Sequence, residues 1–85
     1  MKEIGWNKLK SERLKKIRGV SFEEIVASEF IKFKKHPKKD AQSVMFYKYK
    51  GYIWVVPYVE NESCRFLKTL YPSRKHTKLY RKGAL

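Results

Sequence analysis

The stretch VMFYKYKGYIWVVPY, residues 44–58, decides the fold of this 85-residue chain. It is rich in β-branched and aromatic residues, which favour strands, and the Lys50-Gly51 pair at its centre favours a tight turn. We therefore predict a hairpin of two antiparallel strands at residues 44–49 and 52–58. Pro57 has no N–H to donate to a ladder, so it predicts a bulge or an edge position.

The chain after the hairpin predicts one more strand and a short helix. Residues 60–63, ENES, are typical of a turn, and residues 64–70 continue as a third strand. Tyr71-Pro72 then ends the strand. Ser73 is a good N-cap for a last short helix, because its hydroxyl can accept a hydrogen bond from a free backbone N–H.

The residues before the hairpin predict two short helices joined by a Gly-containing connection. Asn7 can cap the first helix and Gly19 suits its end. Ser21 and Glu24 have the spacing of a capping box for the second, which is predicted to continue through Val26 or as far as Phe30. A polar loop containing Pro37 follows at residues 34–40. The apolar positions at helical spacing in the first helix are Trp6, Leu9, Leu14 and Ile17.

These elements predict one α+β domain over residues 1–85, since a second core would not fit. Its parts are two N-terminal helices, an antiparallel β-sheet of three to four strands and a short C-terminal helix. We expect the helices to cover one face of the sheet and to leave the other face partly open.

The charge of the chain points to a polyanionic partner. Lys and Arg total 21 against 8 Asp and Glu, which gives a net charge of +13. A field of this sign attracts nucleic acid. The sequence contains no run of about 18 apolar residues, so we expect no membrane-spanning helix. The start MKEIGWNKLK lacks the apolar centre of a signal peptide. The single cysteine, Cys64, is compatible with a reducing cytoplasm.

The tail of the chain carries the candidate interface, because no acidic residue follows Glu62. Interleaved cations and rings are what RNA recognition uses, with cations on phosphates and rings on unstacked bases. The alternative is an ordinary solvated basic face. The cations of the tail are Arg65, Lys68, Arg74, Lys75, Lys78, Arg81 and Lys82, and its rings include Tyr71, His76 and Tyr80.

Catalysis does not follow from the residues alone. We find no spacing typical of metal ligands and no cofactor-binding motif, so we expect neither metal nor cofactor. RNA can nevertheless be cleaved by attack of its own 2′-OH on the adjacent phosphate. A protein then needs only to position the groups, neutralise charge and move protons, for which Arg and Lys can suffice.

Several stretches, taken in order, resemble BrnT-like toxins of type II toxin–antitoxin systems. GWNK at residues 5–8 resembles their opening motif, and RGVSFEE at residues 18–24 resembles their His-Gly-Val-Ser-Phe-Glu-Glu stretch. GYIWVVPYVE at residues 51–60 matches a strand pair of one sub-branch. The stretch FLKTLYPSRK at residues 66–75 is similar to the C-terminal motif of that sub-branch. The departures from the family pattern are Asn7, Leu70 and His76.

The resemblance implies a RelE-like fold and an endoribonuclease that inhibits translation and growth. It also implies a cognate antitoxin, usually of ribbon-helix-helix type, through which alone operator DNA would be contacted. The implied catalytic residues are Arg65, Arg74 and Tyr80, and Lys68 joins them if the last strand runs beside the last helix. The predicted RNA-binding residues are Tyr71, Lys75, His76, Lys78 and Arg81.

Four alternatives to an active ribonuclease remain open at the level of sequence. The chain could be a non-catalytic nucleic-acid-binding module or an inactive relative of the toxins. It could be an interaction protein whose basic surface receives an acidic partner. It could also be a gyrase inhibitor of the ParE kind, which shares the fold that the resemblance implies.

Overall fold

The computed structural model describes residues 3–35 and 43–85. These residues form six strands and three helices, and the sheet has the order β1-β5-β4-β3-β2, with β6 also paired to β4. The elements in chain order are β1 (Glu3–Trp6), α1 (Lys8–Arg18), α2 (Phe22–Val26), β2 (Glu29–Lys35), β3 (Ser43–Tyr49), β4 (Tyr52–Glu60), β5 (Cys64–Leu67), β6 (Tyr71–Pro72) and α3 (Arg74–Arg81).

The predicted central hairpin is confirmed as β3 and β4. Tyr49 and Tyr52 are the last pair of the ladder, so Lys50 and Gly51 form a two-residue loop. Both loop residues have positive φ, 52° and 75°, as a type I′ turn requires. Glycine adopts this conformation without cost, and the turn matches the right-handed twist of the strands.

The prediction of an α+β fold with an antiparallel sheet of three to four strands is wrong. The described residues form a mixed sheet of six strands, in which β1 runs parallel to β5 and the other pairs are antiparallel. The first difference is β1, whose Trp6 the helical spacing had assigned to the first helix. Helix α1 begins only after the Asn7 cap, and the Trp6 ring packs 6.0 Å from that of Phe22.

The second difference is β2, where a helix end and a loop were predicted. Phe30 and Phe33 both pair with residues of β3, but the register shifts by one residue between Phe30 and Lys32. This bulge puts two rings three positions apart on one face and hides the alternation expected of a strand. Lys34 and Lys35 belong to β2, whereas the rest of the predicted loop lies outside the described residues.

The predicted third strand is interrupted opposite Pro57. Strand β5 ends at Leu67, paired with Tyr58, and pairing with β4 resumes only where Tyr71 meets Val55. Lys68 donates its N–H to the Pro57 carbonyl at 2.9 Å. The N–H and C=O of a strand residue point to the same edge, so the N–H that proline lacks would also have faced this part of the chain. The missing donor accounts for the bulge that Pro57 predicted.

The caps of the first two helices are confirmed. Asn7 accepts from the Lys10 N–H, and Gly19, at φ 79°, ends α1. Ser21 and Glu24 form the capping box of α2. The predicted apolar face of α1 is wrong in part, because Leu9 and Ile17 are 73% and 67% exposed.

Two apolar clusters lie on opposite faces of the sheet, because successive residues of a strand point to opposite sides. On the first face, Trp54, Val56 and Tyr58 of β4 pack with buried residues of α1 and α2. On the second face, Ile53 and Val55 pack with Phe46, Tyr80 of α3 and Leu85. The expectation that all helices share one face is therefore wrong. Within the described residues, no helix is long and apolar enough to cross a bilayer.

Candidate nucleic-acid interface

Helix α3 is fixed by hydrogen bonds at its first turn to the backbone edge of β4 that no described strand pairs with at Ile53. Ser73, which caps the helix as predicted, donates its N–H to the Ile53 carbonyl at 2.9 Å. The Thr77 hydroxyl accepts the Ile53 N–H at 2.9 Å and donates to the Ser73 carbonyl at 2.6 Å. Both backbone groups of Ile53 are thus satisfied by α3, because β6 has already ended at Pro72.

This anchoring places the start of α3 beside a cleft of about 260 Å³ on the second face. Its apolar lining comes from the two central strands, and its polar lining comes from β2, β6 and α3. The cleft is lined by Lys34, Lys35, Val44, Phe46, Val55, Tyr71 and His76. An apolar floor with a few convergent polar groups is typical of a binding site.

His76 lies in this cleft with its ring held from two sides. Its ring centroid is 4.6 Å from that of Phe46, and its Nδ1 is 2.7 Å from the Ser73 hydroxyl. Burial lowers the pKa of His76 below its usual 6.5, and the nearby Lys34 and Lys75 ammonium groups lower that pKa further. The imidazole is therefore neutral at pH 7, and one of its two nitrogens carries a lone pair.

Among the described residues, the cleft lining contains two lysines, a tyrosine and a histidine but no carboxylate. Lys34 and Lys35 approach from the end of β2, and Tyr71 approaches from the opposite side of the cleft floor. A phosphate would meet cations here without meeting a repelling anion. A neutral histidine close to bound phosphate is also a possible proton acceptor.

The structure brings some of the predicted residues together at the cleft and leaves others on the same face outside it. Tyr71 and His76 line the cleft. Tyr80 instead packs on the apolar cluster of the second face, with the Lys48 ammonium 5.3 Å from its ring centroid. The predicted cations of α3 are exposed: Arg74, Lys75, Lys78 and Arg81.

Arg65 lies on the other side of the sheet. Successive side chains of a strand point to opposite faces, so Arg65 points to the same face as Leu67 and away from the face of Phe66. Leu67 is buried in the first-face cluster. The Arg65 guanidinium is 4.6 Å from the Phe33 ring centroid, and its Nε donates to Glu60 at 3.2 Å. The structure therefore separates Arg65 from the residues of α3 with which the sequence had grouped it.

Lys68 follows β5 and stays near the second face. Its ammonium is 5.7 Å from the ring centroid of Phe66. Phe66 lies on the second face, because it pairs with Val59, which points to the same face as Val55. Phe66 is 38% exposed. Lys68 is thus placed beside an exposed ring of the second face rather than in the cleft itself.

Sequence reasoning missed the β2 and β3 contributions to the cleft. Lys34 and Lys35 were assigned to a loop, and Phe46 was read only as a strand residue. The signal that could have found them is the run of aromatic, β-branched and basic residues EFIKFKK at residues 29–35. This run favours a strand with one basic side once a bulge is allowed.

A separate polar cluster joins α1, α2 and β3 on the first-face side. The Lys15 ammonium is 2.8 Å from Glu24, which also accepts from the Ser21 N–H and from the Tyr49 hydroxyl. The Lys15 contact, followed by the Ser21 N–H, lowers the pKa of Glu24 to about 2. Ser11 donates to Glu23 and accepts from the Phe22 N–H at 3.0 Å. These contacts stabilise the helix pair.

Among residues 3–35 and 43–85, no group of three His, Cys, Asp or Glu side chains could hold a metal ion. No protein-family model matches the chain, no curated protein matches it, and no solved structure matches it. Its functional interpretation therefore depends on the residues themselves and on the geometry of the second face.

Proposed function

We propose that this protein is a ribonuclease toxin that binds RNA on the second face of its sheet and cleaves it at the α3 cleft. The observation that supports this most is the composition of that cleft. A neutral His76 lies there with Lys34, Lys35 and Tyr71 on an apolar floor. The resemblance of the sequence to BrnT-like toxins points to the same activity.

The proposed reaction needs only groups that the chain supplies. The 2′-OH of the bound nucleotide attacks its own 3′-phosphorus and loses its proton to His76. The bond from phosphorus to the 5′-oxygen of the next nucleotide breaks, and that oxygen takes a proton. The products are a 2′,3′-cyclic phosphate and a 5′-hydroxyl end.

His76 can accept the proton in the tautomer whose Nδ1–H donates to Ser73, because Nε2 then carries the lone pair. Lys34, whose ammonium is near enough to His76 to lower its pKa, would neutralise the charge that develops on the phosphorane oxygens, and the same ammonium could protonate the leaving oxygen. Arg74 begins α3, where the helix dipole also favours an anion, and would hold a neighbouring phosphate.

We further propose a cognate antitoxin as the natural partner, a small DNA-binding protein of ribbon-helix-helix type. The charge of +13 favours an acidic, partly apolar segment that covers the basic face. Operator DNA would be contacted only through that antitoxin. We expect the pair to act in the bacterial cytoplasm, where RNA is present and Cys64 stays reduced.

The test is cleavage of a labelled single-stranded RNA in excess EDTA, with identification of the new ends. We expect cleavage to persist and to leave 2′,3′-cyclic phosphates, since cations and a histidine rather than carboxylates line the cleft. His76→Gln should lose most cleavage. Lys10→Ala, which removes an exposed cation of α1, is the matched control and should cleave like the parent. Activity that disappears with EDTA and returns with Mg²⁺ contradicts this mechanism.

A second candidate is a nucleic-acid-binding module without catalysis. The placement of Arg65 favours it, because that guanidinium faces Glu60 and Phe33 rather than the cleft. The same experiment distinguishes the two functions. A binding module would shift the RNA in a mobility assay and leave it intact, and its expression would not arrest growth by RNA degradation.

A further inference from the structure

Two exposed aromatic rings stand on the second face, and only one of them borders the cleft. Tyr71 is 39% exposed and lines the cleft, whereas Phe66 is 38% exposed and lies farther along the sheet. Both rings are therefore accessible to a ligand on the face that carries the cleft. Gly5, which pairs with Phe66 in the neighbouring strand, has no side chain to cover that ring.

The positions of these rings follow from the ladder of β4. Phe66 pairs with Val59 and Tyr71 pairs with Val55, and both partners point to the second face. Four residues of strand at about 3.3 Å each put the two rings roughly 13 Å apart along β4. That spacing is about four times the rise per nucleotide of a stacked strand. The two rings are therefore too far apart to receive neighbouring bases of a stacked strand.

One cation lies in the interval between the rings, because the Lys68 N–H bonds to the carbonyl of Pro57, midway between Val55 and Val59. The Lys68 ammonium is 5.7 Å from the Phe66 ring centroid, and Lys68 precedes Tyr71 by three residues in the chain. Lys34 and Lys35 border the cleft beyond Tyr71. Rings that alternate with cations along a line are the arrangement that binds the bases and phosphates of one strand.

We propose that Phe66, Lys68 and Tyr71 form a stacking track that leads unpaired RNA into the cleft, so that the substrate class is single-stranded RNA longer than two nucleotides. This inference rests on the proposed RNA binding and adds a second base site away from the cleft. A duplex cannot use the track, because its bases are paired and their faces are hidden. A second copy of the chain is disfavoured on this face because like charges would meet.

The test measures the affinity of fluorescein-labelled RNA by anisotropy, with single strands of two and eight nucleotides and with the eight-nucleotide strand in a duplex. Loss of one stacked base lowers affinity about fivefold to a hundredfold. We expect Phe66→Leu to weaken binding of the eight-nucleotide strand by this factor and to leave the two-nucleotide strand unchanged. Phe66→Trp should keep the affinity of the parent, since it keeps a ring.

Phe33→Leu is the matched control, because Phe33 is also a half-exposed strand residue but lies on the first face. It should bind like the parent, and thermal melting should show that each variant is folded. Equal binding of the parent and Phe66→Leu overturns the track, as does equal binding of duplex and single strand. A parent chain that binds no RNA at all contradicts the proposed function itself, so the two failures are distinguishable.

Discussion

Thr77→Val tests how α3 is held on the sheet. The Thr77 side chain is 3% exposed, and its hydroxyl bridges the Ile53 N–H and the Ser73 carbonyl. Valine has nearly the same shape and helix propensity, so the substitution removes the two hydrogen bonds and little else. The Ser73 carbonyl keeps the Thr77 N–H as a partner at 3.0 Å, but the Ile53 N–H loses its only described acceptor.

The expected loss follows from that one unpaired donor. A buried N–H without an acceptor costs about 1–3 kcal/mol of unfolding free energy. For a domain of this size each 1 kcal/mol lowers Tm by about 4–8 °C, so we expect a drop of roughly 4–24 °C. Urea unfolding followed by far-UV circular dichroism measures the free energy, and an unchanged m-value would show that the denatured state is unaffected.

Thr77→Ser is the control for this prediction. It keeps the hydroxyl and deletes only a methyl group, so it should unfold within about 1 kcal/mol of the parent. A Thr77→Val protein as stable as the parent would refute the anchoring role. Equal losses for the valine and serine variants would assign the effect to packing rather than to the hydrogen bonds.

Three further predictions concern charge. The lowered pKa of Glu24, about 2, gives stability that is fully present above pH 4.5 and is lost as pH falls toward 2, so acid unfolding of Glu24→Gln should lack this component. Arg74→Lys keeps the charge but loses the planar fork that would hold the neighbouring phosphate, so single-turnover cleavage should fall by up to roughly a hundredfold because the substrate is misplaced, while RNA affinity changes little. Lys82→Ala removes one exposed cation, and the salt dependence of RNA binding should decrease by about one phosphate contact.

Local signals in the sequence predicted the hairpin and the helix caps because each depends on a few neighbouring residues. The turn needs only two residues that tolerate positive φ, and each N-cap needs one side-chain oxygen next to free N–H groups. The structure has the turn at Lys50 and N-caps at Asn7, Ser21 and Ser73, as predicted.

The two missed strands depend on partners far away in the chain. Strand β1 has four residues and pairs in parallel with β5, some sixty positions later, so no local pattern indicates it. Strand β2 contains a bulge that breaks the alternation. The cleft was predicted only in part for the same reason. Tyr71 and His76 were predicted because they belong to the basic tail, whereas Lys34 and Lys35 were missed because they belong to β2.

The sheet also decides which cations can act together. Residues 65 and 67 share one face of β5, and the burial of Leu67 fixes that face as the first. Arg65 is thereby turned toward Glu60, on the side where Glu23 and Glu24 also make their contacts. The second face carries α3 and the cleft without a carboxylate in the cleft lining. A phosphate bound between α3 and β2 therefore meets His76 and Lys34, and Arg65 could reach it only if the strand that carries it changed register by one residue.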